Sequence, residues 1–234
     1  MTLAHDIVAV NSGLLLSLPF REGVGVITRD EGKPGHLGID LNGPPTWASL
    51  VTGMGVLDFN GATDYIDCPA ANCVYLNFIA GDYSLVGWVR YQVTGLSQIV
   101  FGRYGVDLDG WELYLYDINN TLSLRHHHVS LAPTRTGCYS SGWTTGEWHL
   151  FGISRSGAYP EMYRNGVEVE VSYDAGGLQD PDTCNRDLVI GCRYTKNANW
   201  YEGYMRGLRI WNRKLSAAEH RFIFDTEKHW FGVS

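Results

Sequence analysis

The stretch from Gly203 to Asp225 constrains the fold more than any other part of the chain. It spells one strand, one corner and one short helix. From Tyr204 the residues alternate as in a strand, with Met205, Leu208 and Ile210 on or near an apolar face. Trp211-Asn212-Arg213 turns the chain. Ser216-Ala217-Ala218-Glu219 is a capping box: the Ser216 hydroxyl accepts the backbone N–H of Glu219, and the Glu219 carboxylate reaches back to the N–H of Ser216. Phe222, Ile223 and Phe224 give the helix an apolar side. A single helix after a long run of strands needs a sheet to sit on.

Ahead of this stretch the chain reads as short strands separated by turn chemistry. Leu14–Phe20, Gly55–Asn60, Asp82–Tyr91, Gln98–Arg103, Trp148–Ser154 and Leu188–Ile190 have strand composition. Trp111–Tyr116 and Thr121–His126 form a hairpin across Asp117-Ile118-Asn119-Asn120. Asn165-Gly166 is a sharp hairpin turn into the alternating Val167–Val171. About a dozen short strands at even spacing are the pattern of an antiparallel sandwich. The 234 residues suit one such domain, and 28 glycines with few charges favour tight turns over long solvated helices.

Gly203 through Glu219 also resembles the closing signature of LamG-like domains of the concanavalin A-like lectin/glucanase superfamily, G-x-(L/I)-x-x-(V/L)-R-I-(W/Y)-N-R-x-L-S-x-x-E. Leu57-x-Phe59-Asn60-Gly61 with Asp64-Tyr65-Ile66, and Ser84-Leu85-x-x-Trp88-Val89-Arg90, are similar to two further strands of that family. The resemblance covers about residues 14–226. It implies an all-β, jelly-roll-like sandwich of two antiparallel sheets with one short C-terminal helix. It leaves residues 1–13 as an N-terminal arm and 227–234 as a C-terminal tail, both free to dock to neighbours.

Charge excludes some partners. The formal net charge is -7 and no Lys/Arg block exists, so nucleic acid and anionic membrane are poor partners. Leu14-Leu15-Leu16 is too short to span a membrane, and the opening Met1–Asp6 lacks the basic region of a signal peptide. Five cysteines leave at least one thiol outside any internal bridge. Cys68 with Cys73, and Cys138 with Cys184, are the disulfide candidates. Zinc is the rival, without a C-x-x-C pair to support it.

Several constellations invite a chemical reading. On a strand His126 and His128 share a face, as two metal ligands would, while the bland alternative is a half-buried strand. The resemblance brings calcium, bound on rim loops. Asp58, Asn60 and Asp64 form one oxygen-rich loop, although Asp, Asn and Gly also simply make turns. No cofactor is required. The glucanases of the superfamily carry E-x-D-x-x-E on one strand. That motif is absent here, as are G-x-S-x-G and G-x-x-x-x-G-K-(S/T), so the chain is expected not to be an enzyme. Tyr139, Trp143, Tyr159, Tyr194 and Trp200 fall in loops or at strand ends and are the candidate ligand-binding residues, suited to stacking on sugars or anchoring proteins.

These readings converge on a non-catalytic binding or structural module, and a homo-oligomer. The favoured setting is a virion surface, as a phage capsid-decoration, fibre or tail protein attached to protein neighbours and to surface glycan. A secreted, extracellular lectin-like protein is the alternative, and a divergent glycoside hydrolase the second.

Overall fold

A computed structural model describes residues 10–32, 38–174 and 176–234. In chain order its strands begin with β1 (Leu14–Leu18), β2 (Ile27–Arg29), β3 (Gly38–Asn42), β4 (Thr46–Ser49), β5 (Gly55–Asn60) and β6 (Tyr65–Cys68). There follow β7 (Tyr83–Tyr91), β8 (Ser97–Gly105), β9 (Asp109–Tyr116), β10 (Thr121–His127), β11 (Arg135–Ser141) and β12 (His149–Arg155). The last are β13 (Glu161–Arg164), β14 (Val167–Val169), β15 (Ser172–Tyr173), β16 (Leu188–Ile190) and β17 (Glu202–Trp211), before the helix α1 (Ala217–Phe231).

They form two antiparallel sheets, as the sequence predicts. One has eight strands, in the order β14-β13-β12-β7-β17-β5-β4, with β1 also paired to β17. The other has nine, in the order β15-β11-β10-β9-β8-β16-β6-β3-β2. Between them lies the main core, with Leu57, Phe59, Leu85, Val89, Phe101, Trp111, Leu113 and Phe151 among its members. Alternation sets the faces. Leu85 and Val89 of β7 point into this core, while Val86 and Trp88 point the other way and meet the helix.

The strand β17 organises the eight-stranded sheet. One edge pairs with β7 along its length, and the other serves β5 at Glu202–Met205 and β1 at Leu208–Trp211. Its pairing with β7 is interrupted by a bulge between Arg206 and Arg209, where Gly207 has φ +61°. The extra residue explains why Met205, Leu208 and Ile210 share the inner face despite uneven spacing.

The capping box is present as predicted. Glu219 N–H donates to Ser216 Oγ at 3.3 Å, and Ser216 N–H donates to Glu219 Oε2 at 2.8 Å. Arg213 grips the same carboxylate, and these bonds hold the Glu219 carboxyl down at about 2. The helix lies over the outer face of the eight-stranded sheet, where Ile223, Phe224 and Phe231 join Val56, Val86, Trp88 and Trp211. Its last turn departs from the expected tail at 227–234. Phe231 stacks on Trp88 with ring centres 4.0 Å apart, and Gly232 closes the helix in the left-handed conformation. Residues 227–231 are therefore helix. Of the expected N-terminal arm, residues 1–9 lie outside the described residues. Val10 is buried, and its carbonyl accepts the Trp211 indole N–H at 2.8 Å.

A buried ion pair ties the helix to the sheet. Arg209 on β17 donates to Glu227 through both Nη atoms, at 2.8 and 3.0 Å, and Trp88 Nε1 donates to the same carboxylate at 2.8 Å. Arg209 and Glu227 are nearly inaccessible to solvent. Removing one partner strands the other charge in the interior. Glu227→Ala is expected to lose about 3–5 kcal/mol in urea unfolding. A loss well under 1 kcal/mol would show that the pair does not hold the helix.

Candidate functional site

The nine-stranded sheet has an outer face too, and among the described residues no helix covers it. Trp111, Leu113 and Leu115 of β9 point inward, so Glu112, Tyr114 and Tyr116 point out. The same alternation turns Thr121, Ser123 and Arg125 of β10 outward, with Gly137 and Tyr139 of β11. Register then lines these residues up across the strands. Ile99, Tyr114, Ser123 and Tyr139 form one row. Tyr116 and Thr121 lie in the next row on one side, and Glu112, Arg125 and Gly137 on the other.

The rows enclose a slot of about 250 Å³, lined by Tyr114, Tyr116, Ser123, Arg125, Tyr139 and Asp174 among others. Tyr114 and Tyr139 are two strands apart, about 10 Å at ordinary strand spacing. Between them the floor is the small hydroxyl side chain of Ser123. Tyr139 is exposed and Tyr116 half-buried, whereas the Tyr114 ring lies under the Arg125 guanidinium at 4.5 Å. Gly137 makes room for that arrangement, because a Cβ there would sit 3.1 Å from Arg125 Cγ and 3.3 Å from Asp174 Oδ2.

A second recess, of about 180 Å³, adjoins the slot and shares Tyr114 and Arg125 with it. Its floor is a buried polar chain. The Asp107 N–H donates to His127 Nδ1 at 3.2 Å, which leaves the proton on Nε2 to donate to Glu112 Oε1 at 3.1 Å. Tyr104 stacks on the His127 ring with centres 5.3 Å apart, and its hydroxyl also bonds Glu112.

Comparison with known proteins decides the family. A model of the concanavalin A-like lectin/glucanases superfamily matches residues 60–219. The chain belongs to that superfamily. No curated protein matches it in sequence. Among solved structures, the receptor-binding domain of botulinum neurotoxin mosaic serotype C/D is similar with a TM-score of 0.69 and 14% identity, over 92% of this chain and 51% of that one. The binding domain of Paraclostridial Mosquitocidal Protein 1 gives 0.71 and 14%, over 96% and 56%. The botulinum neurotoxin serotype G binding domain gives 0.67 and 15%, over 89% and 50%. At these identities the likeness is one of fold, and this chain spans about half the length of each of those structures.

The aromatic residues expected to bind ligand do not all stand on this superfamily member's open face. Tyr139 forms one wall of the slot. Tyr194 lies edge-on to Tyr104 at 5.1 Å, beside the second recess. Tyr159 is exposed elsewhere, edge-on to Tyr173 at 5.2 Å. Trp200 is half-buried against Tyr65. Trp143 corrects the expectation outright: it is fully buried in the main core, and its Nε1–H donates to Ser140 Oγ at 2.9 Å. Tyr114, Tyr116, Ser123 and Arg125 were missed, although the alternation in W-E-L-Y-L-Y already puts Glu112 and both tyrosines on one face.

The metal candidates fare differently. His126 uses both ring nitrogens: Nδ1 donates to the Gln179 carbonyl at 2.7 Å, and Nε2 accepts from the Tyr83 hydroxyl at 2.6 Å. His128 is fully buried with both nitrogens unpartnered. In the Asp58 loop, Asn60 Oδ1 accepts the N–H groups of Ala62 and Thr63, and Asp64 accepts the N–H of Asn60. Those bonds build a turn, the other role open to Asp, Asn and Gly in such a loop. Among the described residues no group of three His, Cys, Asp or Glu is placed to hold an ion.

The cysteine expectation is corrected as well. All five cysteines are free and buried, so neither Cys68–Cys73 nor Cys138–Cys184 is bridged. Cys68 and Cys73 share a thiol–thiol hydrogen bond, which holds Cys68 up and draws Cys73 down to about 7. Cys138 packs in the inter-sheet core, and the Cys184 backbone N–H is held by Asn77 Oδ1 at 2.9 Å.

Burial pushes His126 down to about 3, and likewise His220, which stacks on Tyr163 at 4.0 Å. Both are neutral in the fold, while an unfolded histidine protonates near pH 6.5. Their contribution is intact above that value and is lost as pH falls toward 3, because only the unfolded chain takes up the protons. His220→Gln is expected to flatten stability against pH by one proton, about 1.4 kcal/mol per pH unit between about pH 6 and pH 4. Denaturant titrations across that range check it; an unchanged slope would mean that His220 protonates inside the fold.

Proposed function

We propose that this chain is a non-catalytic binding module that holds a saccharide in the slot on its nine-stranded sheet. The observation that carries the proposal is the pair Tyr139 and Tyr116 standing over a floor of Ser123 and Thr121 hydroxyls, on a sheet face that no helix among the described residues covers. Aromatic walls present apolar faces to a sugar ring, and short hydroxyls take up its hydrogen bonds. Glycoside hydrolysis needs two carboxyl groups across the bond. Among the described residues lining the slot, Asp174 is the one carboxylate. Similar structures include a botulinum neurotoxin receptor-binding domain and a botulinum neurotoxin binding domain in complex with rat synaptotagmin II, which agrees with a binding role.

A glycan array with wild-type protein, Tyr139→Ala and Tyr116→Ala tests this. Each substitution is expected to weaken the best hit about tenfold or more while the unfolding transition stays in place. Trp143→Ala serves as the contrast: it opens the core and costs about 3–5 kcal/mol of stability. An array without hits, or hits untouched by both tyrosine substitutions, would overturn the slot as a saccharide site.

Display on a virion surface, as a homo-oligomeric decoration, fibre or tail component, belongs to the same proposal and rests on the kind of module alone. Light scattering on untreated native material is expected to give a megadalton assembly. A monomer or small oligomer would count against the virion setting and favour a secreted lectin.

A further inference from the structure

We propose that the recess beside the slot binds the acidic group of the saccharide, a carboxylate or a sulfate ester, and so makes this a module for acidic glycans. The inference rests on the saccharide reading of the slot and names its ligand class. The recess shares Tyr114 and Arg125 with the slot, so one oligosaccharide can lie across both.

Three guanidinium groups line the recess: Arg125, Arg135 and Arg193. Two of them have only long ion pairs. Arg125 Nη1 stands 4.0 Å from Glu112 Oε1, and Arg135 Nε stands 3.7 Å from Asp107 Oδ1, both beyond hydrogen-bond distance. Arg193 Nε is buried without any hydrogen-bond partner. Glu112 is the one carboxylate among the described lining residues, and it is already engaged by His127 and Tyr104. The recess and its edge therefore hold three cations against two carboxylates, Glu112 and Asp107.

The arginines are also held in a usable posture. Arg125 lies over the Tyr114 ring at 4.5 Å, and Arg193 over Tyr194 at 5.5 Å. Stacking occupies the flat face of a guanidinium and leaves its N–H edge for a bidentate contact. Planar carboxylates and sulfate esters suit that edge, with charge-assisted hydrogen bonds about twice as strong as neutral ones. The chain as a whole is acidic, at -7, so a long polyanion is repelled while a local acidic group finds the recess.

Titration calorimetry decides the point, with hexagalacturonate, α2,8-linked tetrasialic acid and a heparin-derived hexasaccharide as probes. Each is paired with its methyl-esterified or desulfated form. At least one acidic probe is expected to bind about tenfold or more tightly than its neutralised form, and more weakly in high salt. Arg193→Gln and Arg135→Gln are each expected to erase most of that difference and leave the neutralised form unaffected. Which probe binds separates carboxylate from sulfate. Equal binding of charged and neutralised forms, or arginine variants without effect, overturns the acidic assignment. If Tyr139→Ala still abolishes binding in that case, the slot stands as a saccharide site. If no acidic probe binds, the proposal fails, and a blank glycan array would bring down the slot reading with it.

Discussion

The bulge in β17 is the constraint on which the rest of the sandwich depends. An unbroken strand would alternate strictly, and Leu208 would then fall on the face opposite Met205. The extra residue at Gly207 resets the alternation, so Leu208 and Ile210 stay in the inter-sheet core while Arg209 and Trp211 face the helix. It also divides the far edge of β17 between β5 and β1, which brings the start of the chain onto the same strand as its end. Arg209 is then buried at the one place where Glu227 and the Trp88 indole can satisfy it. Such a pair adds little net stability over a hydrophobic replacement. Its geometry does, however, fix where the helix sits.

Placing the helix decides where a ligand can go. A sandwich of two sheets has two outer faces, and α1 seals one of them with Ile223, Phe224 and Phe231. The other keeps the half-polar composition of an antiparallel sheet facing water. On that face Ile99, Tyr104 and Tyr114 form only a small apolar cluster, edged by Tyr116 and Tyr194. Aromatic rings set among hydroxyl and guanidinium groups are a surface that retains water when free and can exchange it for a polar ligand.

Much of the fold was legible in the sequence because its signals are local. The capping box, the Asn165-Gly166 turn and the family signature each depend on a few neighbouring residues, and each appears where it was read. Short strands such as β2, β4 and β15 were not legible, since two to four residues cannot display an alternation. The site was read less well. Trp143 looked like a loop aromatic, yet the loop after β11 folds inward and buries it, with its carbonyl taking the Tyr91 hydroxyl. In the sequence His126 pairs with His128 as metal ligands would, or belongs to a half-buried strand, and His127 faces the other way. The inward His126 is consumed by Tyr83, and the outward His127 is roofed by Tyr104. Neither roof nor partner is close in sequence, so no local pattern could announce them.

The slot is hidden in the sequence for a related reason. The sequence points to loops for binding residues, because function often gathers where loops vary freely over a rigid scaffold. Here the lining comes mostly from paired strands, and only the register of β8 to β11 brings it together. Strand residues are held more firmly than loop residues, which favours a preorganised surface. The buried chain from the Asp107 N–H through His127 to Glu112 adds to that rigidity, because it fixes one histidine tautomer and seats the Tyr104 ring above it. A face built this way cannot remodel itself around different ligands. Its selectivity must come from the side chains it already presents: tyrosine rings on one side and guanidinium groups in long ion pairs on the other.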